Sequence, residues 1–148
     1  MKILVVQLAR LGDIYQTWPS IKALRDKYPQ GEIHLCVRKK FSAATEGLDE
    51  VDKVHILDAA KILAPIISEE DIESSLHGMN DFAFCLAEED YDEIYNLSFS
   101  PLSSYLVDFI ATPNSTIKGY TRFSDGYLCI PDDISAYFHA QVGIEKSN

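Results

Sequence analysis

The opening segment of the chain, residues 2–28, constrains the fold more than any other part of the sequence. Residues 3–8 are rich in leucine and β-branched residues, as a parallel strand covered by helices on both faces requires. A short loop follows, and apolar residues from Ile14 onward recur three or four positions apart, the period of a helix that lies on a sheet. The segment therefore predicts the strand, loop and helix from which parallel sheets are built.

Asp13 lies at the start of the predicted helix, after a turn formed by residues 9–12. The first backbone N–H groups of a helix lack internal partners and carry a partial positive charge, so a carboxylate is favoured there. Two roles for Asp13 are open at this point: a helix N-cap, or a charged group that takes part in chemistry. Pro19 predicts a kink, or a short first turn followed by a new helix.

Strands and helices alternate along the chain. Strands are predicted at residues 3–8, 32–38, 53–57 and 91–97, with further candidates at 116–121 and 126–130. Helices are predicted at residues 41–47, 101–110 and 134–142, and two more lie between residues 59 and 90 with a break at Pro65. The alternation predicts an α/β fold, a Rossmann-like open parallel sheet flanked by helices, in a single domain over residues 1–148.

Helix ends and helix faces can also be assigned. Ser68 is the predicted cap of the second helix between residues 59 and 90, and an apolar stripe from Ile72 to Leu86 is predicted to face the core. Ser100 is the predicted cap of the helix at residues 101–110, with Pro101 in its first turn.

The charge balance excludes some classes of partner. The 148 residues include 13 Lys and Arg against 23 Asp and Glu, a net charge of −10. Such a surface does not bind nucleic acid or anionic lipid over its whole area. A local basic patch is still compatible with this balance: its residues are 38–40, just past the second strand, with Arg10 in the first loop. Such a run is more typical of a solvated loop. No apolar run is long enough to cross a membrane, which predicts a cytoplasmic protein.

Neither cysteines nor histidines predict a metal site. Cys36, Cys85 and Cys129 are odd in number and lie in apolar surroundings, so they are predicted to be buried thiols. The four histidines are scattered, with no ligand spacing on a shared face, and are assigned no chemistry: His34, His55, His77 and His139.

A binding site is predicted where strand order reverses, at the carboxyl ends of the strands. With strand order 3-2-1-4-5, this crevice lies between residues 9–13 and residues 98–104. It joins a carboxylate to several hydroxyls and a helix N-terminus, which suits a polyhydroxylated or anionic ligand. Residues 8–12 hold one glycine and no Walker lysine follows, so we expect no nicotinamide or nucleoside triphosphate and no other cofactor in this half.

Three stretches resemble one enzyme family, the ADP-heptose:lipopolysaccharide heptosyltransferases, family nine of the glycosyltransferases. The first stretch is LARLGDIYQTWPSIKALRDKYP, and residues 32–57 and 91–110 match the family's later strands and helices. The family motif consists of Gly-Asp, then Thr-x-Pro-x-x-x-x-Leu, then Tyr-Pro. It is carried here by Gly12, Asp13, Thr17, Pro19, Leu24, Tyr28 and Pro29.

The resemblance implies the N-terminal half of a GT-B glycosyltransferase, in which two Rossmann-like domains face one another. The N-terminal domain binds the sugar acceptor, and the C-terminal domain, absent from this chain, binds the donor ADP-heptose. Asp13 would be the general base of an inverting transfer to the lipopolysaccharide inner core. The acceptor-binding residues would be Arg10, Gly12, Asn96, Ser98, Ser100 and Ser103.

Further expectations follow from the resemblance. We expect this chain alone to be inactive, to self-associate through the face that a second domain would cover, and to meet a lipid-linked acceptor peripherally at the inner face of the inner membrane. The alternative is a non-catalytic interaction or regulatory module that has kept a Rossmann-like fold.

Overall fold

Five parallel strands form the main sheet in the computed structural model, which describes residues 1–68 and 71–136. In chain order they are β1 (Lys2–Gln7), β2 (Glu32–Arg38), β3 (Lys53–Leu57), β4 (Glu93–Asn96) and β5 (Thr116–Gly119). Their order across the sheet is β3-β2-β1-β4-β5, and every neighbouring pair is parallel. The predicted open parallel α/β sheet and its strand order are confirmed.

Helices cover both faces of this sheet. They are α1 (Leu11–Lys27), a 3₁₀ helix (Lys39–Thr45), α2 (Ala59–Ile67), α3 (Ile72–Ala87) and α4 (Pro101–Ile110). Along β1, Ile3 and Val5 pack with residues of α1, while Leu4 and Val6 pack with residues of α3 and α4. These four side chains are at most 1% exposed, as a central strand between two layers of helices requires.

Helix α1 runs as one helix from Leu11 to Lys27, so the predicted alternative of a new helix that begins at Pro19 is wrong. Pro19 is exposed, and Ile14 and Ile21 on either side of it are fully buried. Their burial against the sheet stabilises the helix despite the amide hydrogen that proline lacks. The helix also begins earlier than predicted, at Leu11.

Helices α2 and α3 meet at a different point from the one predicted. Helix α2 continues past Pro65, and α3 is capped by Asp71, whose Oδ1 accepts a hydrogen bond from the Glu73 N–H at 2.9 Å. The predicted Ser68 cap is therefore wrong. So is the first half of the predicted core stripe, because Ile72 is 65% exposed; only its last part, near Leu86, is buried.

The predicted strands near the end of the described chain are shorter than expected. Thr121–Arg122 (β6) and Leu128–Cys129 (β7) form a separate antiparallel pair. Gly119 ends β5 with a positive φ of 90°, so the predicted strand at residues 116–121 is divided. Most of the predicted helix at residues 134–142 lies outside the described residues.

The cysteine prediction holds only for Cys36, which is fully buried, and burial raises the pKa of its thiol to about 12. Cys85 is exposed and Cys129 is half-buried, because the outer face of α3 and the β6–β7 pair lie at the surface. Over the described residues, the helices are all too short or too polar to cross a membrane.

Candidate functional site

A cleft of about 420 Å³ opens at the carboxyl edge of the sheet, between the segments that follow β1 and β4. It lies where the sequence predicts a crevice. The polar side chains that line it belong to Arg10, Asp13, Arg38, Ser98 and Ser100. The cleft thus combines a carboxylate, two guanidinium groups and two hydroxyls.

Asp13 is the third residue of α1, in its first turn, and Arg10 occupies the N-cap position, so of the two roles left open for Asp13 the N-cap is wrong. The Asp13 carboxylate reaches back instead: its Oδ2 accepts a hydrogen bond from the Arg10 N–H at 2.9 Å. This satisfies one of the donors that a helix start leaves without an internal partner. The bond also fixes the carboxylate at the mouth of the loop, beside the cleft.

Gln7, the last residue of β1, is a buried polar side chain that the sequence analysis did not single out. Its Oε1 accepts hydrogen bonds from the Ala9 N–H and the Ser98 hydroxyl, both at 3.2 Å. Its Nε2 donates to the Thr17 hydroxyl and the Leu97 carbonyl, both at 3.3 Å. Gln7 therefore ties the loop after β1 to α1 and to the segment after β4. The sequence signal that could have identified Gln7 is its position as a polar residue at the end of an apolar strand.

Three predicted acceptor-binding residues are engaged with the protein itself. The Ser98 hydroxyl accepts a hydrogen bond from the Leu8 N–H, and Asn96 Oδ1 accepts one from the Ser98 N–H at 3.1 Å. Asn96 Nδ2 donates to the Tyr120 carbonyl at 2.6 Å, and the Ser103 hydroxyl donates to the Ser100 carbonyl at 2.9 Å. Asn96 and Ser103 are buried behind the cleft, whereas Ser98 forms part of its lining.

Ser100 lines the cleft, whereas Gly12 is not among its lining residues. Ser100 caps α4 as predicted, because its hydroxyl oxygen accepts a hydrogen bond from the Ser103 N–H at 3.2 Å, with Pro101 at the first position. Gly12 is exposed in the first turn of α1, and a Cβ built on it would meet no atom within 4 Å. The protein itself therefore does not require a glycine at residue 12.

Arg38 brings positive charge to the cleft, which the solvated-loop prediction for residues 38–40 missed. Its Nη2 donates to the Ala9 carbonyl at 3.3 Å, and its guanidinium carbon lies 5.1 Å from the Phe41 ring centre. Among the described residues, its buried Nε has no hydrogen-bond partner. Lys39 is exposed and pairs with Asp58 at 2.6 Å, as a solvated lysine would.

A second cluster of polar side chains lies at the opposite, amino-terminal end of the sheet. The Nε2 of His55 lies 3.1 Å from both the Nδ1 of His34 and the Tyr91 hydroxyl, and a Glu89 oxygen is within 4.8 Å of both rings. The prediction that no histidines share a face with a ligand group is wrong. The two histidines are 21 positions apart in the sequence, and the parallel pairing of β2 with β3 brings their rings into contact.

The environment of this cluster shifts two pKa values. The pKa of His55 is lowered to about 4, mainly by burial and in addition by the neighbouring His34 and Lys53. Glu89 bridges Lys2 and Lys53, and these bonds lower the pKa of its carboxyl to about 2. At neutral pH His55 is therefore neutral and Glu89 is ionised.

We expect the protein to lose stability as the pH falls from about 6.5 to 4, because unfolded His55 takes up a proton that folded His55 does not. The loss at pH 4 is about 1–3 kcal/mol. Glu89 contributes in a lower window, since its stabilisation is full above pH 4.5 and is lost towards pH 2. The melting temperature of His55→Gln should be measured against pH across both windows. It should be independent of pH in the upper window and should still fall with pH in the lower one.

The matched control is His77→Gln, because the side chain of His77 is 72% exposed on α3. The melting temperature of this variant should fall with pH as steeply as that of the unmodified protein. A His55→Gln profile that parallels the control between pH 6.5 and 4 would contradict the assignment to His55.

Solved structures share this fold. A family 9 glycosyl transferase from Veillonella parvula matches 81% of the chain with a TM-score of 0.66 and 24% identity. E. coli ADP-heptose lps heptosyltransferase II matches 79% with a TM-score of 0.57 and 21% identity. E. coli heptosyltransferase WaaC, solved with ADP-2-deoxy-2-fluoro heptose, matches 93% with a TM-score of 0.66 and 16% identity.

The chain spans about a third of these structures: 32%, 30% and 40% of their respective lengths. No protein-family model matches the sequence, and no curated protein matches it. The structural likeness establishes a glycosyltransferase-like fold, with a sheet and helices arranged as in part of the heptosyltransferases.

Proposed function

We propose that this chain is the acceptor-binding part of an inverting glycosyltransferase that resembles the heptosyltransferases, and that it acts within a longer protein. One observation carries the proposal. On a fold shared with ADP-heptose heptosyltransferases, the cleft at the carboxyl edge of the sheet places the Asp13 carboxylate among groups that suit a charged sugar. The fold alone would not suffice, because one fold supports many functions.

Asp13 is the proposed general base. Its carboxylate would take the proton from an acceptor hydroxyl while that oxygen forms a bond to the anomeric carbon of the donor sugar and the bond to the nucleotide diphosphate breaks. A carboxylate is a weak base, but a hydroxyl that attacks an oxocarbenium-like centre becomes strongly acidic. The hydrogen bond from the Arg10 N–H holds the carboxylate in position before the acceptor arrives.

The basic and hydroxyl groups of the cleft are proposed to recognise the acceptor. Arg10 and Arg38 suit phosphate or carboxylate groups, and Ser98 and Ser100 suit sugar hydroxyls. Gly12 would leave room for the acceptor at the start of α1.

Asn96 and Ser103 have a different proposed role. They would act by fixing the segment after β4, because their polar atoms are already bonded to the protein. At the start of this segment Asn96, the last residue of β4, donates a hydrogen bond to the Tyr120 carbonyl. Ser103, in α4, donates to the Ser98 carbonyl within the segment.

The proposed acceptor is a lipopolysaccharide inner-core sugar, which would bring a cytoplasmic protein to the inner face of the inner membrane. The proposed donor, ADP-heptose, would be bound by a second domain outside this chain. The direct test is transfer of heptose from ADP-heptose to a deacylated lipopolysaccharide acceptor by the full-length protein. Acceptor binding without transfer would favour the non-catalytic interaction module.

We expect Arg38→Gln to weaken binding of a phosphorylated inner-core oligosaccharide by roughly tenfold, because a charge-assisted hydrogen bond to the anion is lost. Titration calorimetry on the full-length protein measures this. Lys22→Gln is the matched control, since it removes the same charge from the exposed face of α1. An equal loss with a dephosphorylated oligosaccharide would contradict an anion contact at Arg38.

A further inference from the structure

The cluster at the amino-terminal end of the sheet is a separate feature from the acceptor cleft. We propose that His34, His55 and Glu89 bind a single zinc ion. One potential ligand atom from each of the three side chains lies within 4.8 Å of the other two. His34 is fully buried, while the other two side chains are partly exposed, which leaves a route for the ion from solvent.

The spacing of the two rings suits a shared metal. Two imidazole nitrogens bound to zinc at about 2.0–2.1 Å in tetrahedral geometry lie roughly 3.3–3.4 Å apart. The Nδ1 of His34 and the Nε2 of His55 are 3.1 Å apart, so these two nitrogens need to separate by only a few tenths of an ångström. The Glu89 oxygen, which lies within 4.8 Å of both, would move towards them to complete the site. A donor set of two imidazoles and one carboxylate favours zinc or a similar transition metal over Mg²⁺ or Ca²⁺, which prefer oxygen ligands.

The proton on His34 is fixed in the position that metal binding requires. Its Nε2 lies 2.8 Å from a carboxylate oxygen of Glu32, which can only accept a hydrogen bond when ionised. The Nε2 therefore carries the proton, and the Nδ1 keeps its lone pair, which has the Tyr91 hydroxyl at 2.8 Å and the Nε2 of His55 at 3.1 Å. The zinc ion would replace the hydrogen bond that the Tyr91 hydroxyl donates to this nitrogen. A carboxylate on the second nitrogen of a ligating histidine is a recurring feature of zinc sites, where it orients the ring and raises its basicity.

Lys2 and Lys53 both bind the Glu89 carboxylate, and their positive charges oppose binding of a cation. Whether a metal ion can still bind depends on the lone pairs of Glu89 that the two lysines leave unoccupied. Lys2 donates to Glu89 Oε2 at 2.7 Å, and Lys53 donates to Oε1. An ionised carboxylate has about four acceptor positions, so two ammonium groups leave others available to a metal. The positive charge of Lys2 and Lys53 disfavours cations that bind by electrostatic attraction alone. Zinc is less affected, because it forms strong bonds to imidazole nitrogens.

The ion would join three segments of the fold. His34 belongs to β2, His55 to β3, and Glu89 to the turn after α3. From His34 to Arg38 the strand β2 covers about 13 Å, so this site is distinct from the acceptor cleft. The ion would therefore stabilise the edge of the sheet and take no part in sugar transfer.

The test is zinc titration of the protein after treatment with a chelator. We expect one bound ion per chain and a rise in the melting temperature with zinc concentration. His55→Gln and Glu89→Gln should each weaken zinc binding at least tenfold, and Glu32→Gln should weaken it roughly tenfold through His34. Cobalt should give the visible absorption of a tetrahedral site without a thiolate charge-transfer band.

His77→Gln is the control, because His77 forms an exposed pair with Glu73 at 3.8 Å and could bind zinc adventitiously. It should leave the affinity unchanged. Because both His55→Gln and Glu89→Gln are tested, the proposal can still be checked if one of these variants does not fold. No zinc binding, equal affinity in both site variants and the unmodified protein, or a cobalt–thiolate band would overturn the proposal and leave these side chains as a hydrogen-bonded core network.

Discussion

Asp13→Asn in the full-length protein should lower turnover by roughly a hundredfold or more, because an amide cannot act as the general base that we propose Asp13 to be. The fold should hardly change. In the unmodified protein the Arg10 N–H donates to Oδ2 of Asp13 at 2.9 Å, and asparagine keeps an oxygen that can accept this hydrogen bond. What is lost is the interaction of the carboxylate with the helix start, about 0.3–1 kcal/mol.

The measurement is a steady-state rate paired with a thermal melt. Acceptor affinity should remain largely intact, and the melting temperature should move by no more than roughly 3 °C. Asp26→Asn is the matched control, since it removes a carboxylate from the exposed far end of the same helix. A lower melting temperature with an unchanged rate would return Asp13 to a purely structural role at the start of α1.

The sequence was sufficient for the parts of the fold that depend on local patterns. The apolar character of β1 predicted a strand buried on both faces, and the alternation of strands and helices predicted a parallel sheet. Ser100 and Pro101 predicted the start of α4 because a hydroxyl and a proline in those positions satisfy a helix end locally. Pro19 misled the prediction because packing of α1 on the sheet outweighs a local preference.

The candidate site was predicted in position but only partly in composition. The carboxyl edge of the sheet locates the cleft from topology alone. Arg38 was missed because the direction of its side chain depends on Phe41 and the Ala9 carbonyl, and neither contact has a sequence signature. Asn96 was expected to face the cleft, but its amide is consumed by Tyr120, 24 residues further along the chain.

The His34–His55 pair could not be found from the sequence for a related reason. Parallel strands have no fixed register without their neighbours, and the crossover between β2 and β3 contains a 3₁₀ helix of seven residues. Which residues of two such strands face each other is therefore set by the packed fold. Chemistry that depends on side chains from different strands emerges only from the assembled sheet.

Gly119→Ala should be the most destabilising of the substitutions considered, by about 3–5 kcal/mol. Gly119 pairs with Asn96 across β4 and β5, and its φ is 90°. A Cβ built on it would lie 2.3 Å from the Asn96 carbonyl oxygen, a backbone atom that cannot move aside without shifting the strand. The end of β4 leads directly to Ser98 in the cleft, so the same shift should weaken acceptor binding.

Gly126→Ala separates the two causes of this loss. Gly126 has nearly the same φ, 83°, but a Cβ there would meet no atom within 4 Å, so only the backbone conformation is strained. Its expected loss is about 1 kcal/mol, roughly 3 °C in melting temperature, against roughly 10 °C or more for Gly119→Ala. Thermal melts of both variants, with acceptor titration of those that fold, make the comparison. Equal shifts in the two variants would mean that the close approach of Asn96 to Gly119 does not constrain the end of β4, and that the cleft does not depend on it.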